Sequence, residues 1–381
     1  MRDVLEELLG WWRSGEAVGM ATVVGTWRSA PRPPGATMLV GPGGTAVGSV
    51  SGGCVEGAVY ELGTEVVASG APRLVRYGVS DDAAFEVGLT CGGTIEIFVE
   101  RVDRAGFPQL DQVAAAVAAG EPVAVATVVG VPPAGGEGGS AQFRLGGRLV
   151  VWPDRHAGTL GAGHLDDVVA EDARGALAAG RTGPISYGPA GERMGDAVTV
   201  FVSAVTPPPR MIVFGAIDFA AAAARIGDFL GYQVTVCDAR PVFATTRRFP
   251  GVEVVVDWPH RYLAAEVEAG RVDSRTVVCV LTHDPKFDVP ALRVALAQDF
   301  EYVGAMGSRR THADRLERLR AEGVPEDRFA RLASPIGLDL GARTPEETAV
   351  SIAAEIIAAR WGGSGRSLSD LDGSIHEHLD R

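Results

Sequence analysis

One segment of the chain occurs twice, and this internal repeat is the feature that most constrains the fold. Residues 15–25 return with little change as residues 120–130, and both are dominated by Val, Ala and Thr. Further along, residues 48–56 align with residues 158–166 in the same order. Two copies predict two related lobes that pack together, because a solenoid needs about three or more repeats.

Each copy has the same predicted order of elements: a helix, a long strand, short strands, a second helix and two further strands. Residues 18–25 and 123–130 are near-continuous apolar runs, which are typical of strands buried on both faces. Residues 54–69 and 165–179 have the spacing of helices. The first half of the chain is therefore predicted to be a duplicated α/β lobe.

A proline run at residues 206–209 predicts a linker, and the pattern changes after it. Strands then alternate with helices, which predicts a parallel, doubly wound sheet of the Rossmann type. The expected strands are 210–214, 233–237, 253–256, 276–281 and 301–304, and the expected helices lie near 218–230, 259–269, 288–298, 308–321 and 345–361. Thr344, followed by Pro345 and by Glu347 three residues on, predicts a capped start for the last helix.

The fold class is accordingly α/β, with four predicted parts. Residues 1–103 form a lobe with Gly-Cys loops, and residues 104–205 form its cysteine-free copy. Residues 206–362 form a Rossmann-type domain, and residues 363–381 form a flexible tail rich in Gly, Ser and Asp.

Charge and composition exclude several classes of function. The chain has 35 Lys and Arg against 48 Asp and Glu, and its net charge of −13 argues against nucleic-acid binding. Lysine occurs only at Lys286, so no Walker A loop exists. No apolar run reaches the roughly 18 residues of a membrane span, and the start has no signal-peptide pattern. We expect a soluble, cytoplasmic protein with reduced thiols and no membrane partner.

Cys54 is the first candidate functional residue. It follows Ser51, Gly52 and Gly53 and opens a predicted helix. Small residues allow backbone amides to converge, and a helix start adds partial positive charge, so the loop is predicted to bind an anion and to favour the thiolate. A thiolate is a soft metal ligand or a nucleophile. The alternative is a small cysteine packed at a tight turn.

Cys91 and Arg32 are weaker candidates in the same lobe. Cys91 lies in a second Gly-rich loop and is expected to face Cys54 across one cleft, although it could simply pack. Arg32 follows the first long strand and could hold a phosphate or carboxylate with its forked guanidinium, or could be solvated. The second copy has His164 in place of Cys54 and residues 194–196 in place of the Cys91 stretch. Lobe one is therefore predicted to keep the site. Cys237 and Cys279 end apolar strands and are expected in the core.

The first Rossmann turn fits the dinucleotide fingerprint only in part. Gly215 stands at the first glycine, but Ile217 replaces the second, where the backbone should touch a pyrophosphate. Asp218 would repel a phosphate, whereas Asp238 at the end of the second strand suits a ribose contact. The turn could bind NAD(P) or serve only as a scaffold.

Two further loops lie at carboxyl ends of strands, where open α/β sheets place ligands. The first gathers an imidazole, carboxylates and the single lysine, and the second is a Gly-rich turn that could hold an anion at a helix start. The alternative for both is helix capping, by Asp288 and Ser308 respectively. The candidate ligand-binding residues of the two loops are His283, Asp284, Gly307 and Ser308.

Together these motifs resemble the XdhC/CoxI family, accessory proteins of molybdenum hydroxylases such as xanthine dehydrogenase. The segments that carry the resemblance are residues 29–35, 48–56 and 91–93 in the N-terminal half and residues 282–284, 302–310, 334–339 and 344–349 in the C-terminal half.

The resemblance implies a maturation factor that is non-enzymatic or at most handles sulfur, with no residue assigned a catalytic role. Such a factor would bind the molybdopterin-type molybdenum cofactor transiently, protect it during sulfuration, and insert it into a xanthine dehydrogenase or CO dehydrogenase-type hydroxylase. The implied partners are this client, a cysteine desulfurase and a second copy of the chain. Cys54 is the implied cofactor-proximal thiol and candidate molybdenum ligand, with Cys91 second, in a cleft beside the strand ends.

One departure from the family pattern argues against nucleotide or pterin-phosphate binding at the first Rossmann turn. The family's first Rossmann turn reads Gly-Ala-Gly-His, whereas this chain has Ile217 and Asp218 at the last two positions. The alternative function is an NAD(P)-dependent oxidoreductase with His283, Asp284 or Lys286 as the acid or base. A third interpretation is a scaffold that docks two other maturation proteins, for which Cys54 would be dispensable.

Overall fold

The computed structural model describes residues 1–27, 30–78, 93–131 and 143–372. The described residues divide into two compact units, Met1–Pro207 and Pro208–Asp372, with the division inside the proline run. The first unit holds antiparallel sheets and the second a parallel sheet, which confirms the α/β class.

The first unit consists of two lobes of the same design. Lobe one contains α1 (Leu5–Ser14), β1 (Val18–Trp27), β2 (Thr37–Val40), β3 (Ala46–Gly48), α2 (Glu56–Ser69), β4 (Arg73–Tyr77) and β5 (Thr94–Val102). Lobe two contains α3 (Leu110–Ala118), β6 (Val123–Gly130), β7 (Arg148–Val151), β8 (His156–Thr159), α4 (Gly163–Ala179), β9 (Gly183–Tyr187) and β10 (Val198–Val205). The strand orders β3-β2-β1-β5-β4 and β8-β7-β6-β10-β9 correspond one to one, which confirms the predicted repeat.

Equivalent residues of the two lobes pack against each other. Val24 and Phe98 of lobe one form a buried cluster with their counterparts Val129 and Phe201 of lobe two. The long strands are apolar on both faces for this reason: one face packs on the lobe's own helix, and the other packs on the second lobe. Burial of this shared apolar surface stabilises the pair of lobes.

A buried ion pair breaks the symmetry between the lobes. Arg148 on β7 pairs with Glu100 on β5, and both side chains are almost fully buried. The Arg148 guanidinium also donates to the Gly106 carbonyl at 3.0 Å and lies over the Phe107 ring. Burial raises the pKa of the Glu100 carboxyl, while the Arg148 charge opposes that rise. Removing either partner alone would leave a buried charge uncompensated.

The second unit is a six-stranded parallel sheet with helices on both faces. Its strands are β11 (Arg210–Phe214), β12 (Gln233–Cys237), β13 (Glu253–Val255), β14 (Val277–Val280), β15 (Tyr302–Ala305) and β16 (Leu332–Ala333). Its helices are α5 (Asp218–Phe229), α6 (Pro259–Glu268), α7 (Pro285–Leu296), α8 (Arg309–Ala321) and α9 (Pro345–Trp361). The strand order β13-β12-β11-β14-β15-β16 is that of the Rossmann fold, with the topological switch between β11 and β14.

Helix starts lie within two residues of the predicted ones except at α7. The predicted capping box at Thr344 and Glu347 is present, and Ser308 caps α8 by accepting from the Thr311 amide. The alternative role of Asp288 as the cap of α7 is wrong: Asp284 accepts from the Lys286 amide, and the helix begins three residues before the predicted start at residue 288. Proline at the first helical position favours this earlier start.

Cys237 and Cys279 are fully buried, which confirms their expected place in the core. No helix of the described residues combines the length and the apolar character needed to cross a membrane.

Candidate functional site

The loop between β3 and α2 folds around the carboxylate of Glu56. Its Oε1 accepts from the Ser49 hydroxyl at 2.7 Å and from the Ser51 and Gly52 amides at 2.9 and 3.0 Å. Its Oε2 accepts from the Ser51 hydroxyl and from the Gly53 amide at 2.8 Å. The amides of the small loop residues therefore do converge. The anion that they bind is the carboxylate of Glu56, the first residue of α2.

These hydrogen bonds keep Glu56 ionised. Burial by itself raises the pKa of the Glu56 carboxyl, but the hydroxyls of Ser51 and Ser49 and the Ser51 amide together lower it to about 2. A carboxylate that accepts several hydrogen bonds is stabilised in its charged form. Glu56 is therefore fully ionised at neutral pH, and its hydrogen bonds fix the loop that precedes Cys54.

The prediction that the Gly52 and Gly53 amides are open to bind an external anion is wrong. Their amides point to Glu56, so they are not open donors for an external anion. Cys54 itself does not open the helix as predicted: it is half-buried in the loop two residues before α2 begins at Glu56, and it packs beside the core of lobe one. A thiol on a loop held this firmly is preorganised, and its role toward a ligand stays a prediction.

Lobe two repeats the arrangement with a shorter acid. Asp166 accepts from the Thr159 hydroxyl and from the Leu160 amide, both at 2.7 Å. These residues align with Glu56, Ser49 and Val50 of lobe one. The position of Cys54 is taken by His164, which is exposed. The acid-centred loop is therefore common to both lobes, and the thiol belongs to lobe one alone.

The structure says little about the other candidate residues of lobe one. Arg32 is exposed, and its role as an anion ligand stays a prediction. Cys91 lies outside the residues that the structure describes, so the predicted facing of Cys54 and Cys91 also stays a prediction.

In the second unit, Asp238 holds the first Rossmann turn. It is buried and accepts from the Ala216 amide at 2.7 Å. Arg240 donates to both carboxylate oxygens of Asp238, at 2.9 and 2.8 Å. Burial raises the pKa of the Asp238 carboxyl, but these hydrogen bonds outweigh burial and lower it. The ribose contact predicted for Asp238 would have to displace Arg240.

Neighbouring residues also occupy the space and the hydrogen-bonding groups of the first Rossmann turn. Gly215 has φ +107°, and a Cβ there would lie 2.9 Å from Cγ2 of Thr282, so only glycine fits. Arg248 donates to the Ala216 carbonyl at 3.1 Å and to the Asp218 carboxylate at 2.9 Å. The turn's amide, carbonyl and carboxylate are all satisfied by groups of this chain, and a pyrophosphate would have to compete with them.

The two remaining loops place their candidates at the carboxyl edge of the sheet. His283 is exposed, and Asp284 caps α7 while it pairs with Lys286 at 3.0 Å. The Lys286 hydrogen bonds lower the pKa of the Asp284 carboxyl. Gly307 has φ +151°, and Ser308 caps α8. Capping is thus present at Asp284 and at Ser308, and ligand binding by these four residues stays a prediction.

A buried network that no sequence motif indicated ties these two loops together. Arg315 on α8 donates to the Asp288 carboxylate at 3.1 Å, to the Met306 carbonyl at 2.7 Å and to the Ser334 hydroxyl at 2.8 Å. Asp288 also accepts from the Thr282 hydroxyl. Burial raises the pKa of the Asp288 carboxyl, although these hydrogen bonds oppose the rise. An arginine in an otherwise polar helix carries no signal of such a partner.

Known families match both units of the chain. The model of the XdhC Rossmann domain matches residues 211–356, which span the parallel sheet from β11 onward. The model of the XdhC and CoxI family matches residues 11–78 and 116–188, which are corresponding parts of the two lobes. The chain belongs to the XdhC and CoxI family. This membership confirms the resemblance drawn from the motifs.

Several named proteins and solved structures are similar to this chain over almost its whole length. A probable xanthine dehydrogenase subunit from Bacillus subtilis is 29% identical over 357 residues, 91% of this chain and 93% of that protein. The molybdenum cofactor insertion chaperone PaoD of Escherichia coli is 26% identical over 360 residues, 94% of this chain and 87% of that protein. A crystal structure described as a xanthine dehydrogenase from Bacillus halodurans superposes with a TM-score of 0.65 at 25% identity and covers 97% of both chains.

Proposed function

We propose that this XdhC-family chain is a maturation factor that binds a molybdenum cofactor transiently and assists its sulfuration and insertion into a xanthine dehydrogenase or CO dehydrogenase-type hydroxylase. The name of the relative PaoD, a molybdenum cofactor insertion chaperone aligned over 87% of its length, supports this role. The observation that carries the proposal is the position of Cys54. It stands half-buried two residues before a helix, on the loop that Glu56 holds, in only one of two otherwise matching lobes.

The donor chemistry of this position fits the metal end of such a cofactor. When bound, the cofactor supplies a thiophilic molybdenum centre, and a cysteine thiolate is a soft ligand for such a metal. Ser49 and Ser51 orient Glu56, and Glu56 fixes the backbone before Cys54. The sulfur is therefore held in place before the ligand arrives, which lowers the entropic cost of binding.

The glycine amides of this loop are not part of the proposed binding site. Because the Gly52 and Gly53 amides already bind Glu56, they do not hold the anionic end of the cofactor. Anionic groups of the ligand need donors elsewhere, and Arg32 is one exposed guanidinium of the same lobe. Two partners complete the proposal: a cysteine desulfurase that supplies the sulfur atom, and a second copy of this chain as homodimer partner.

The contacts of the first Rossmann turn and of Asp284 argue against the alternative of an NAD(P)-dependent oxidoreductase. Ile217 replaces the glycine that a pyrophosphate needs, and the Ala216 amide is held by Asp238. Asp284 is engaged in a cap and an ion pair. Absorbance at 340 nm with NADH and candidate substrates tests this alternative directly, since a chaperone shows no hydride turnover.

Retention of the cofactor tests the proposal. The full chain is purified from cells that make molybdenum cofactor, and the pterin that it retains is oxidised and measured by fluorescence. Cys54→Ser is expected to lower the retained pterin at least about tenfold, the scale of affinity lost when a metal site is disturbed. The matched control is His164→Ser, which changes the equivalent position of lobe two and is expected to retain as much as the natural chain. Undiminished retention by Cys54→Ser would favour the scaffold interpretation and overturn the proposal.

A further inference from the structure

A small cavity on the second unit is lined by three arginines. It has a volume of about 260 Å³ and lies between α5 and the segment that follows β12. Arg225 comes from α5, and Arg247 and Arg248 come from that segment. Phe249 and Val252 contribute apolar walls. The cavity lies outside the residues that any step of the proposed function uses.

The charge of this cavity is unusual for the chain. The net charge of the whole protein is −13, yet the only charged side chains that line the cavity are the three guanidinium groups. Neither Arg225 nor Arg247 forms an ion pair with any carboxylate in the described part of the chain, whereas many other arginines there do. Like charges gathered in a concave site concentrate a positive potential that attracts an anion.

The third arginine is already fixed in place. Arg248 donates through one nitrogen to the Ala216 carbonyl at 3.1 Å and through the other to Asp218 at 2.9 Å. It therefore forms a rigid wall, while Arg225 is held only by a 3.3 Å bond from its Nε to the Ala221 carbonyl. Two guanidinium groups with open donors beside one fixed group suit a ligand with several acceptor oxygens.

The size of the cavity narrows the class of ligand. Its volume is below the roughly 300–1,000 Å³ of sites that enclose a whole small molecule. Arginine forks match the geometry of phosphate oxygens, and the apolar walls suit a short carbon segment beside them. We propose that this arginine cavity binds a phosphate group, either free or as the terminal monoester of a small molecule. The inference does not depend on the proposed function.

Calorimetric titration of the full chain at constant ionic strength tests the site. Inorganic phosphate and phenyl phosphate are the two probes, and Arg247→Gln and Arg225→Gln are the variants. Each variant is expected to weaken binding about ten- to hundredfold, because each removes a charge-assisted hydrogen bond. The matched control is Arg318→Gln on α8, an exposed arginine without an ion pair among the described residues, and it is expected to leave the affinity unchanged.

The two probes also distinguish the source of the phosphate. Tighter binding of phenyl phosphate identifies a monoester as the ligand, and equal affinities identify free phosphate. Absence of binding by both probes overturns the proposal, and so does an affinity that Arg247→Gln does not change. Arg247 and Arg225 are exposed, so their variants are expected to fold, and circular dichroism checks this.

Discussion

Replacing Glu56 by glutamine tests whether this carboxylate holds the loop before Cys54. Glutamine has the shape of a protonated glutamate but offers one acceptor oxygen and one NH₂ group. Either the donors at Oε1, which include Ser49, or those at Oε2, which include Gly53, then face an NH₂ group and lose their acceptor. The substitution therefore removes about half of the network without creating a cavity.

The lowered pKa of Glu56 sets the size of the stability loss expected for Glu56→Gln. A carboxyl pKa that falls from 4.5 to about 2 corresponds to at most about 3 kcal/mol in favour of the charged form. Because Glu56 is only partly buried, solvent screening reduces the expected loss to about 1–2 kcal/mol. The folded-state pKa lies below the unfolded value, so this stabilisation is complete above about pH 4.5 and is lost as the pH falls toward 2.

Urea unfolding at neutral pH and at about pH 3 measures this difference between the natural chain and Glu56→Gln. The free energy of unfolding is expected to differ by about 1–2 kcal/mol at neutral pH and by less in acid. Hydrogen exchange at the Ser51, Gly52 and Gly53 amides is expected to accelerate in the variant. Glu61→Gln, an exposed glutamate on the same helix, is the control. Unchanged stability and unchanged exchange at these amides would refute the reasoning.

The remaining predictions concern positions away from this loop. Arg148→Met leaves Glu100 buried without its counter-charge and is expected to cost about 3–5 kcal/mol in urea unfolding, whereas the double variant Glu100→Met with Arg148→Met recovers most of the loss. A double variant no more stable than the single one would contradict this account of the pair. Gly215→Ala is expected to lower stability by about 1–3 kcal/mol, because its φ of +107° and the nearby Thr282 leave no room for a Cβ. A melting temperature equal to that of the natural chain would show that the turn relaxes freely.

The fold was largely predictable because its signals are local and repeated. Apolar runs at residues 18–25 and 123–130 mark the central strands, and each lies in a sheet of the same order. Strands 210–214 and 233–237 coincide with β11 and β12. The first lies between Pro209 and Gly215, and the second ends at Asp238. The start of α7 was predicted wrongly because two aspartates lie near it, and the first of them caps the helix.

The candidate site was less predictable because its decisive contacts depend on tertiary geometry. A glycine loop before a helix indicates converging amides, but it does not tell which anion they bind. The repeat contained the missing signal, since an acid follows the loop in both copies, as Glu56 and as Asp166. The Arg315–Asp288 contact joins residues 27 apart in sequence. In the sequence, Arg315 and Asp288 are two charged residues that no motif connects.

Molybdenum K-edge X-ray absorption of the cofactor-loaded chain tests the central claim most directly, because it counts the sulfur atoms bound to the metal. If the Cys54 thiol ligates the molybdenum, Cys54→Ser lowers the number of Mo–S contacts by one, while His164→Ser leaves the spectrum unchanged. Identical sulfur shells in the natural chain and in Cys54→Ser would contradict the claim that Cys54 contacts the metal.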